Sequence, residues 1–87
     1  MDLSNIGVVI IVFHPNPKLL ESKLKQLGGD VAIVVVDNTP NKVIEIEQTN
    51  VAYIPLRENT GIANAQNVGI RNLLDRGCSH IVFFDQD

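Results

Sequence analysis

Two long runs of apolar, mostly β-branched residues constrain the fold of this chain more than any other feature. Residues 6–13 read IGVVIIVF and residues 31–36 read VAIVVV, and in neither run do apolar and polar side chains alternate. Strands without such alternation are usually buried on both faces, as in a parallel sheet that helices cover on each side. The two runs therefore predict an α/β fold.

Two segments with helical periodicity lie between the predicted strands. The first is predicted to begin at Pro17, with Asn16 as its N-cap, and to end at Gly28. The second is predicted over residues 62–76, with Asn59 or Thr60 as its cap. The residues that mark the apolar faces are Leu19, Leu20, Leu24 and Leu27 in the first helix and Ile62, Ala65, Gln66, Gly69, Ile70 and Leu73 in the second.

Two further strands complete the predicted sheet. Residues 50–56 form the weaker one, placed near an edge because Pro55 cannot donate to a strand ladder. Residues 80–84 form the other, and residues 43–48 are expected to make a short helical turn. Strands that alternate with helices in this way predict right-handed βαβ units. We therefore expect a parallel sheet. For its four strands we predict the order 3-2-1-4, that of a three-layer, Rossmann-like α/β/α domain.

Length and composition exclude several classes of protein. The 87 residues allow one small domain over 1–87, and a net charge of −3 without a basic stripe argues against a nucleic-acid partner. The single cysteine, Cys78, excludes an internal disulfide bond and fits a reducing compartment; we expect it to be a small buried residue. The first apolar run is too short to span a bilayer, so we expect a cytoplasmic protein, with membrane attachment through further chain left open.

Polar residues gather where the predicted strands end. Open α/β sheets bind their ligands beyond the carboxyl ends of the strands, which all lie at one rim. The strands themselves are almost wholly apolar, so this gathering is the strongest physical indication of a site. The residues at or after strand ends are His14, Asn16, Asp37, Asn38, Asn59, Thr60, Gly61, Asp85 and Asp87.

Asp85-Gln86-Asp87 is the sharpest of these features. Two carboxylates one residue apart repel each other, and beside a buried strand they are costly unless a cation compensates them. Mg²⁺ and Mn²⁺ prefer carboxylate oxygens and keep places for phosphate oxygens. We therefore expect Asp85 and Asp87 to hold a divalent cation that neutralises a diphosphate leaving group. The alternative is a solvated acidic segment.

Asp37 and the start of the second helix are the next candidates. A carboxylate at the end of the second strand can accept a hydrogen bond from a base or from a ribose hydroxyl; the alternative is turn chemistry in Asp-Asn-Thr-Pro. Asparagine is unfavourable inside a helix, so Asn64 and Asn67 suggest a polar contact; the alternative is that their side chains face solvent.

The two histidines are predicted to differ in role. His14 is expected at the wall of a ligand cleft, and His80 is expected to be structural. No P-loop, zinc-ligand spacing or nucleophile elbow is present.

Four segments in this order resemble the start of the family 2 GT-A glycosyltransferases, and in particular their bacterial rhamnosyltransferase branch. The segments are VVIIVFHPN at 8–16, VVVDN at 34–38, ENTGIANAQNVGI at 58–70 and HIVFFDQD at 80–87. The resemblance covers essentially the whole chain, and the last two segments are the most specific. Where members of the family often have Thr-Tyr before the asparagine of the first loop, this chain has His14-Pro15.

The resemblance implies roles for particular residues. The loop of His14, Pro15 and Asn16 would line the nucleotide pocket, and Asp37 would contact the base. Asn59, Gly61 and Asn64 would flank a nucleotide-diphosphate sugar. Asp85 and Asp87 would correspond to the metal-diphosphate motif, with Asp85 also facing the donor. The Asp-Gln-Asp form is similar to that of rhamnosyltransferases whose donor is dTDP-rhamnose.

The resemblance also implies what to expect beyond these residues. Members of the family continue well past this point, and the acceptor site and the general base that activates the acceptor hydroxyl lie downstream. We therefore expect a donor-binding amino-terminal part that is inactive alone, and we assign no catalytic residue. The alternative from another class is a non-catalytic oligomerising module left by gene truncation. A response-regulator-like domain would need an acidic cluster after the first strand, and none follows it.

The fourth strand carries one further expectation. Residues 81–84 are apolar, and with no strand beyond them in the predicted order they would form an open edge of the sheet. Such an edge invites pairing with another chain. We therefore expect a homo-oligomer that forms through Ile81–Phe84.

Overall fold

Four parallel strands and two helices make up the fold, and the computed structural model describes residues 5–84. The strands form one sheet in the order β3-β2-β1-β4, which confirms the predicted order. The elements in chain order are β1 (Ile6–Val12), α1 (Pro17–Leu27), β2 (Ala32–Asp37), β3 (Val51–Pro55), α2 (Ile62–Asp75) and β4 (His80–Phe84).

Alternate residues of β1 and β2 build the core on the two sides of the sheet. On one side Val8, Ile10 and Val35 pack with Leu20 and Leu24 of α1. The opposite side is packed by α2, and its buried residues are Val9, Val34, Val36, Ala65, Leu73 and Cys78. Both sides are apolar because a helix covers each of them, which is the physical reason that these two strands read as continuous apolar runs.

Helix α1 begins as predicted. The side-chain oxygen of Asn16 accepts hydrogen bonds from the backbone N–H groups of Lys18 and Leu19, at 3.0 and 3.2 Å. One prediction for this helix is wrong, because Leu19 is exposed over 70% of its surface. The buried stripe follows Leu20 and Leu24, and a residue one position earlier lies about 100° around the helix from Leu20.

Residues 43–48 do not form the helical turn that we expected. Their burial alternates residue by residue, with Ile44 and Ile46 partly buried against the α1 side of the core and Glu45 and Glu47 exposed. This is a period of two, typical of extended chain, and the alternating Ile-Glu pattern in the sequence indicates it. Residue Ile62 also departs from expectation: as the first residue of α2 it is 66% exposed.

Side chains form hydrogen bonds with the backbone at the amino ends of β2 and β3. Arg76, just after α2, donates to the carbonyl oxygens of Ile33 and Asn50, both at 3.0 Å. The amide of Asn50 in turn donates to the carbonyl oxygen of Val31 at 2.7 Å. The polar groups at this end are therefore engaged with backbone of the fold itself.

The two edge strands differ. The β3 edge includes Pro55, as expected, whereas β4 contains neither proline nor a formally charged side chain. Val82, Phe83 and Phe84 are 41%, 46% and 42% exposed. The expected apolar open edge is therefore present. Within residues 5–84, none of the helices has the length and apolar character needed to cross a membrane.

Helix α2 approaches the sheet most closely at a glycine, which generates a first prediction. A Cβ on Gly69 would lie 2.7 Å from Val9 Cγ1 and 3.4 Å from Val36 Cγ2, and both valines are fully buried. We expect Gly69→Ala to lower the free energy of unfolding by about 1–2 kcal/mol, since the overpacking cost exceeds the gain in helix propensity. Chemical denaturation measures this.

Asn67→Ala is the matched control in the same helix. Asn67 is exposed, so the gain in helix propensity should leave the protein as stable as the wild type or slightly more so. A Gly69→Ala variant with unchanged or raised stability would contradict the close packing of α2 on β1.

Candidate functional site

The carboxyl ends of three strands lie level with one another. Val12 pairs with Asp37 in the register of β1 and β2, and Asp37 pairs with Pro55 in the register of β2 and β3. The loops that follow these strands therefore start at the same rim of the sheet. This is the rim at which the sequence predicted a ligand site.

Three consecutive polar residues are buried at the centre of this rim. Asp37, Asn38 and Thr39 are 1%, 4% and 1% exposed. Burial of polar groups costs free energy unless hydrogen bonds compensate it. Among the described residues, every buried side-chain nitrogen and oxygen has a hydrogen-bond partner. We refer to Asp37, Asn38 and Thr39 as the rim anchor, because each of them binds a different neighbouring segment.

Asp37 binds β3 and its own turn. The Tyr53 hydroxyl donates to Asp37 Oδ2 at 2.6 Å, and the Thr39 N–H donates to Asp37 Oδ1 at 2.9 Å. Tyr53 also accepts from the Ile44 N–H at 3.1 Å. Both carboxylate oxygens are thus engaged inside the protein, which is the turn chemistry that the sequence offered as the alternative. Contact between Asp37 and a base stays a prediction.

Thr39 binds the loop after β1. Its Oγ1 accepts from the His14 N–H at 2.7 Å. His14 has a φ of 49°, a left-handed conformation that costs a non-glycine residue energy and that is enriched at functional sites. The His14 ring is exposed and meets the Phe13 ring edge-on, with 4.3 Å between centroids. The hydrogen bond to Thr39 holds this strained loop in place.

The other residues predicted in the first loop are placed differently from one another. Pro15 lies in the loop between β1 and α1 and is half-buried. The side-chain oxygen of Asn16 caps α1, and the place of this residue in a ligand pocket stays a prediction. His14 and Asn16 are both exposed.

Asn38 binds the turn that precedes α2. Its Oδ1 accepts from the Thr60 N–H at 3.2 Å and from the Thr60 hydroxyl at 3.1 Å, and its Nδ2 donates to the Gly61 carbonyl at 3.3 Å. Asn64 Nδ2 donates to Thr60 Oγ1 at 2.8 Å. Two residues predicted to flank a ligand are therefore joined to the rim anchor. Gly61 is hydrogen-bonded to Asn38 directly, and Asn64 is joined to it through Thr60.

The cap of α2 differs from the prediction. Gly61 occupies the N-cap with φ 88° and no side chain caps the helix, although Asn59 or Thr60 was expected to. The Thr60 hydroxyl is used by Asn38 instead, and Asn59 Oδ1 accepts from the Gly61 N–H at 3.1 Å. Glycine takes this conformation without the steric cost that a Cβ would add.

A left-handed non-glycine residue occurs in each of the three loops at this rim. They are His14 after β1, Asn41 after β2 and Arg57 after β3, with φ values of 49°, 55° and 62°. The Asn41 N–H donates to the Arg57 carbonyl at 3.1 Å, which links the second loop to the third. Strain at three neighbouring positions is consistent with a functional rim.

The predicted metal ligands cannot be placed. Asp85 and Asp87 lie outside the described residues, directly after Phe84 in sequence. Within residues 5–84, no group of three or more His, Cys, Asp or Glu side chains could hold a metal ion. The metal site stays a prediction.

One groove of the described structure lies away from the rim anchor. It has a volume of about 490 Å³ and runs between α1 and the 44–48 segment, with Leu20, Leu24, Ile44 and Ile46 among its lining residues. We take the rim as the candidate site because left-handed loop residues and buried polar side chains meet there. None of the residues of the rim anchor lines the groove.

Sequence reasoning missed Thr39 and Tyr53. Thr39 was read only as part of a turn, although a hydroxyl directly after Asp-Asn at a strand end can accept from a neighbouring loop. Tyr53 lies in the weakest predicted strand and is the one tyrosine of the chain. Its pairing with Asp37 depends on the register of β3 against β2, which local sequence does not reveal.

Comparison with known proteins places this rim in a wider context. In an alignment 90 residues long, the chain is 42% identical to dTDP-rhamnosyl transferase RfbF of Shigella flexneri. The match covers 97% of this chain and 30% of that protein, so the chain spans about a third of the length of this relative. No family model and no solved structure matches the chain. Over nearly its whole length, the chain is thus similar to one part of a glycosyltransferase.

The Tyr53–Asp37 pair generates a second prediction. Burial, and then the hydrogen bond to Asp37, raise the pKa of Tyr53 from 10.0 to about 12. Because the chain has one tyrosine and no tryptophan, phenolate absorbance reports this group alone. We expect a titration midpoint near 12 in the folded protein and near 10 in denaturant.

The sign of the linked stability effect follows from the raised pKa. The stabilisation is fully present below pH 10 and is lost as the pH rises through about 12, because the unfolded chain ionises first. Asp37→Asn should lower the folded midpoint, whereas Asp75→Asn, which removes an equal charge from α2, should not. A wild-type midpoint near 10 would contradict the hydrogen bond between Tyr53 and Asp37.

Proposed function

We propose that this chain is the donor-binding part of a glycosyltransferase and that its rim binds a nucleotide-diphosphate sugar, with dTDP-rhamnose or a similar donor as the substrate. The observation that carries the proposal is the 42% identity to dTDP-rhamnosyl transferase RfbF over 97% of the chain. A match of this extent includes the loops that follow β1, β2 and β3 and not the apolar strands alone.

The geometry of the rim supports a nucleotide ligand. Parallel α/β sheets bind ligands beyond the carboxyl ends of their strands, and here three loops are joined at that edge by the rim anchor. Asn64 and the His14 ring are exposed beside these loops. The hydroxyl and ring N–H groups of a nucleotide can donate to the amide oxygen of Asn64, and its base can contact the His14 ring.

We propose that Asp85 and Asp87 hold Mg²⁺ or Mn²⁺. Carboxylates are the ligands that these hard cations prefer, and the two residues follow β4 directly in sequence. A bound cation would neutralise the diphosphate that departs when the sugar is transferred. Inverting transfer also needs a general base for the acceptor hydroxyl, and we assign none of these residues to that role.

Ligand binding tests this function. We expect dTDP or UDP to bind the protein in the presence of Mn²⁺, with a weaker interaction when the metal is chelated. Asp85→Ala and Asp87→Ala should each weaken the metal-dependent binding by roughly tenfold or more, since loss of even an outer-shell partner of a metal site costs about 10–100-fold. Isothermal titration calorimetry measures both effects.

Asp75→Ala is the matched control for charge. Asp75 is exposed at the end of α2, so its removal should leave nucleotide affinity unchanged. Absence of binding by the wild type would count against the proposed ligand class. Equal binding by the wild type and the two aspartate variants would reject the metal site but not the nucleotide site.

The open β4 edge supports a second proposal, that two copies of this chain associate through Ile81–Phe84. The strand is apolar and exposed and carries no proline, lysine or glutamate that would block pairing. Antiparallel pairing of β4 with β4 of a second copy would join the two sheets at their unprotected edges. A non-catalytic oligomerising module is the function that this edge favours if nucleotide binding fails.

Light scattering tests the association. We expect the wild type to exceed the monomer mass as concentration rises and Val82→Lys to remain monomeric, because a charge on the edge opposes strand pairing. Val43→Lys is the control, since Val43 is similarly exposed, at 48% against 41%, but lies outside the strands. A wild type that stays monomeric at high concentration would reject this interface.

A further inference from the structure

The rim anchor connects the buried end of β2 to the loop that carries His14. The connection runs from the Tyr53 hydroxyl to Asp37 Oδ2, from the Thr39 N–H to Asp37 Oδ1, and from the His14 N–H to Thr39 Oγ1. The three distances are 2.6, 2.9 and 2.7 Å. Each contact joins groups that are far apart in sequence or that close a turn, so the path is a product of the fold.

The direction of each hydrogen bond is determined by chemistry. The backbone N–H groups of Thr39 and His14 can only donate, so Asp37 Oδ1 and Thr39 Oγ1 must accept. The Tyr53 hydroxyl accepts from the Ile44 N–H and therefore uses its proton for Asp37 Oδ2. The pKa of Tyr53 near 12 keeps that proton in place at neutral pH.

Burial decides what Asp37 can do directly. With 1% of its surface exposed and a protein donor on each oxygen, its carboxylate presents little to a ligand. The exposed end of the path is His14, which the bond to Thr39 holds at φ 49°. Without that bond the loop would be free to relax toward a right-handed or extended conformation, which costs less for a residue with a Cβ.

We propose that Asp37, Thr39 and Tyr53 are positioning residues, which hold the His14 loop in the conformation that receives the nucleotide, and that Asp37 acts through this loop and not by touching the base. The proposal rests on the proposed nucleotide-binding function. It assigns Thr39 and Tyr53 a part in donor binding although neither is required to contact the donor.

The test compares two substitutions at Thr39. Thr39→Val keeps the shape of the side chain and removes the acceptor for His14, whereas Thr39→Ser keeps the acceptor and removes a buried methyl group. We expect Thr39→Val to weaken dTDP binding about fivefold, in keeping with the loss of one hydrogen bond, and Thr39→Ser to bind as the wild type does. Thr39→Ser should nevertheless be less stable than the wild type, because it leaves a small cavity.

This crossed pattern separates positioning from stability. A structural role alone would make affinity follow stability, so that Thr39→Ser would lose binding as well. Amide hydrogen exchange at His14 supplies a readout without ligand. It should accelerate in Thr39→Val and remain slow in Thr39→Ser.

Tyr53→Phe distinguishes indirect from direct action of Asp37. If Asp37 acts through the loop, loss of the Tyr53 hydroxyl weakens dTDP binding several-fold, because the carboxylate loses a partner that orients it. If Asp37 binds the base itself, the freed oxygen becomes available and binding is retained or strengthened. Retained or strengthened binding would overturn the proposal.

The outcomes also separate this inference from the function on which it rests. If the wild type binds dTDP and Thr39→Val binds equally well, the positioning role is rejected and the nucleotide site stands. If the wild type does not bind dTDP, the proposed function is rejected together with the positioning of a ligand. Unchanged His14 exchange in Thr39→Val would reject the anchoring of the loop in either case.

Discussion

The hydrogen bonds of three consecutive buried residues, Asp37, Asn38 and Thr39, are the constraint on which the loops at the carboxyl ends of the strands depend. Each residue binds a different segment: β3 through Tyr53, the turn before α2 through Thr60, and the loop after β1 through His14. Burial of polar groups to this extent costs free energy unless they form hydrogen bonds, and the neighbouring loops supply the partners. One short segment at the end of a central strand thereby organises three loops that are distant in sequence.

The packed apolar sheet holds the starting points of these loops in fixed positions. Residues of β1 and β2 are packed between α1 and α2, and Gly69 lets α2 approach Val9 and Val36 closely. A rigid sheet of this kind sets the starting points of the loops at level strand ends. The similarity to a dTDP-rhamnosyl transferase segment runs through both parts, the scaffold and the loops. The proposed binding site would thus consist of loops held on a packed core.

Much of the fold was predictable because its signals are local. Unalternating β-branched runs indicate buried parallel strands, and Asn16 before Pro17 indicates a helix start; both predictions are confirmed. The wrong predictions came from the places where a local pattern was given the wrong period or the wrong face. The 43–48 segment alternates with a period of two, and Leu19 is one position removed from the buried stripe of α1.

The sequence by itself determined the alternation of strands and helices, the two-sided burial of the central strands and the set of polar residues that follow strand ends. It did so because apolar period, turn residues and the handedness of βαβ units act over short stretches of chain. Tertiary structure alone decided that Asp37 faces inward to Tyr53, that Thr39 holds His14, and that Thr60 bonds to Asn38 instead of capping α2. Those choices depend on strand register and on which loops become neighbours, and both are properties of the assembled sheet.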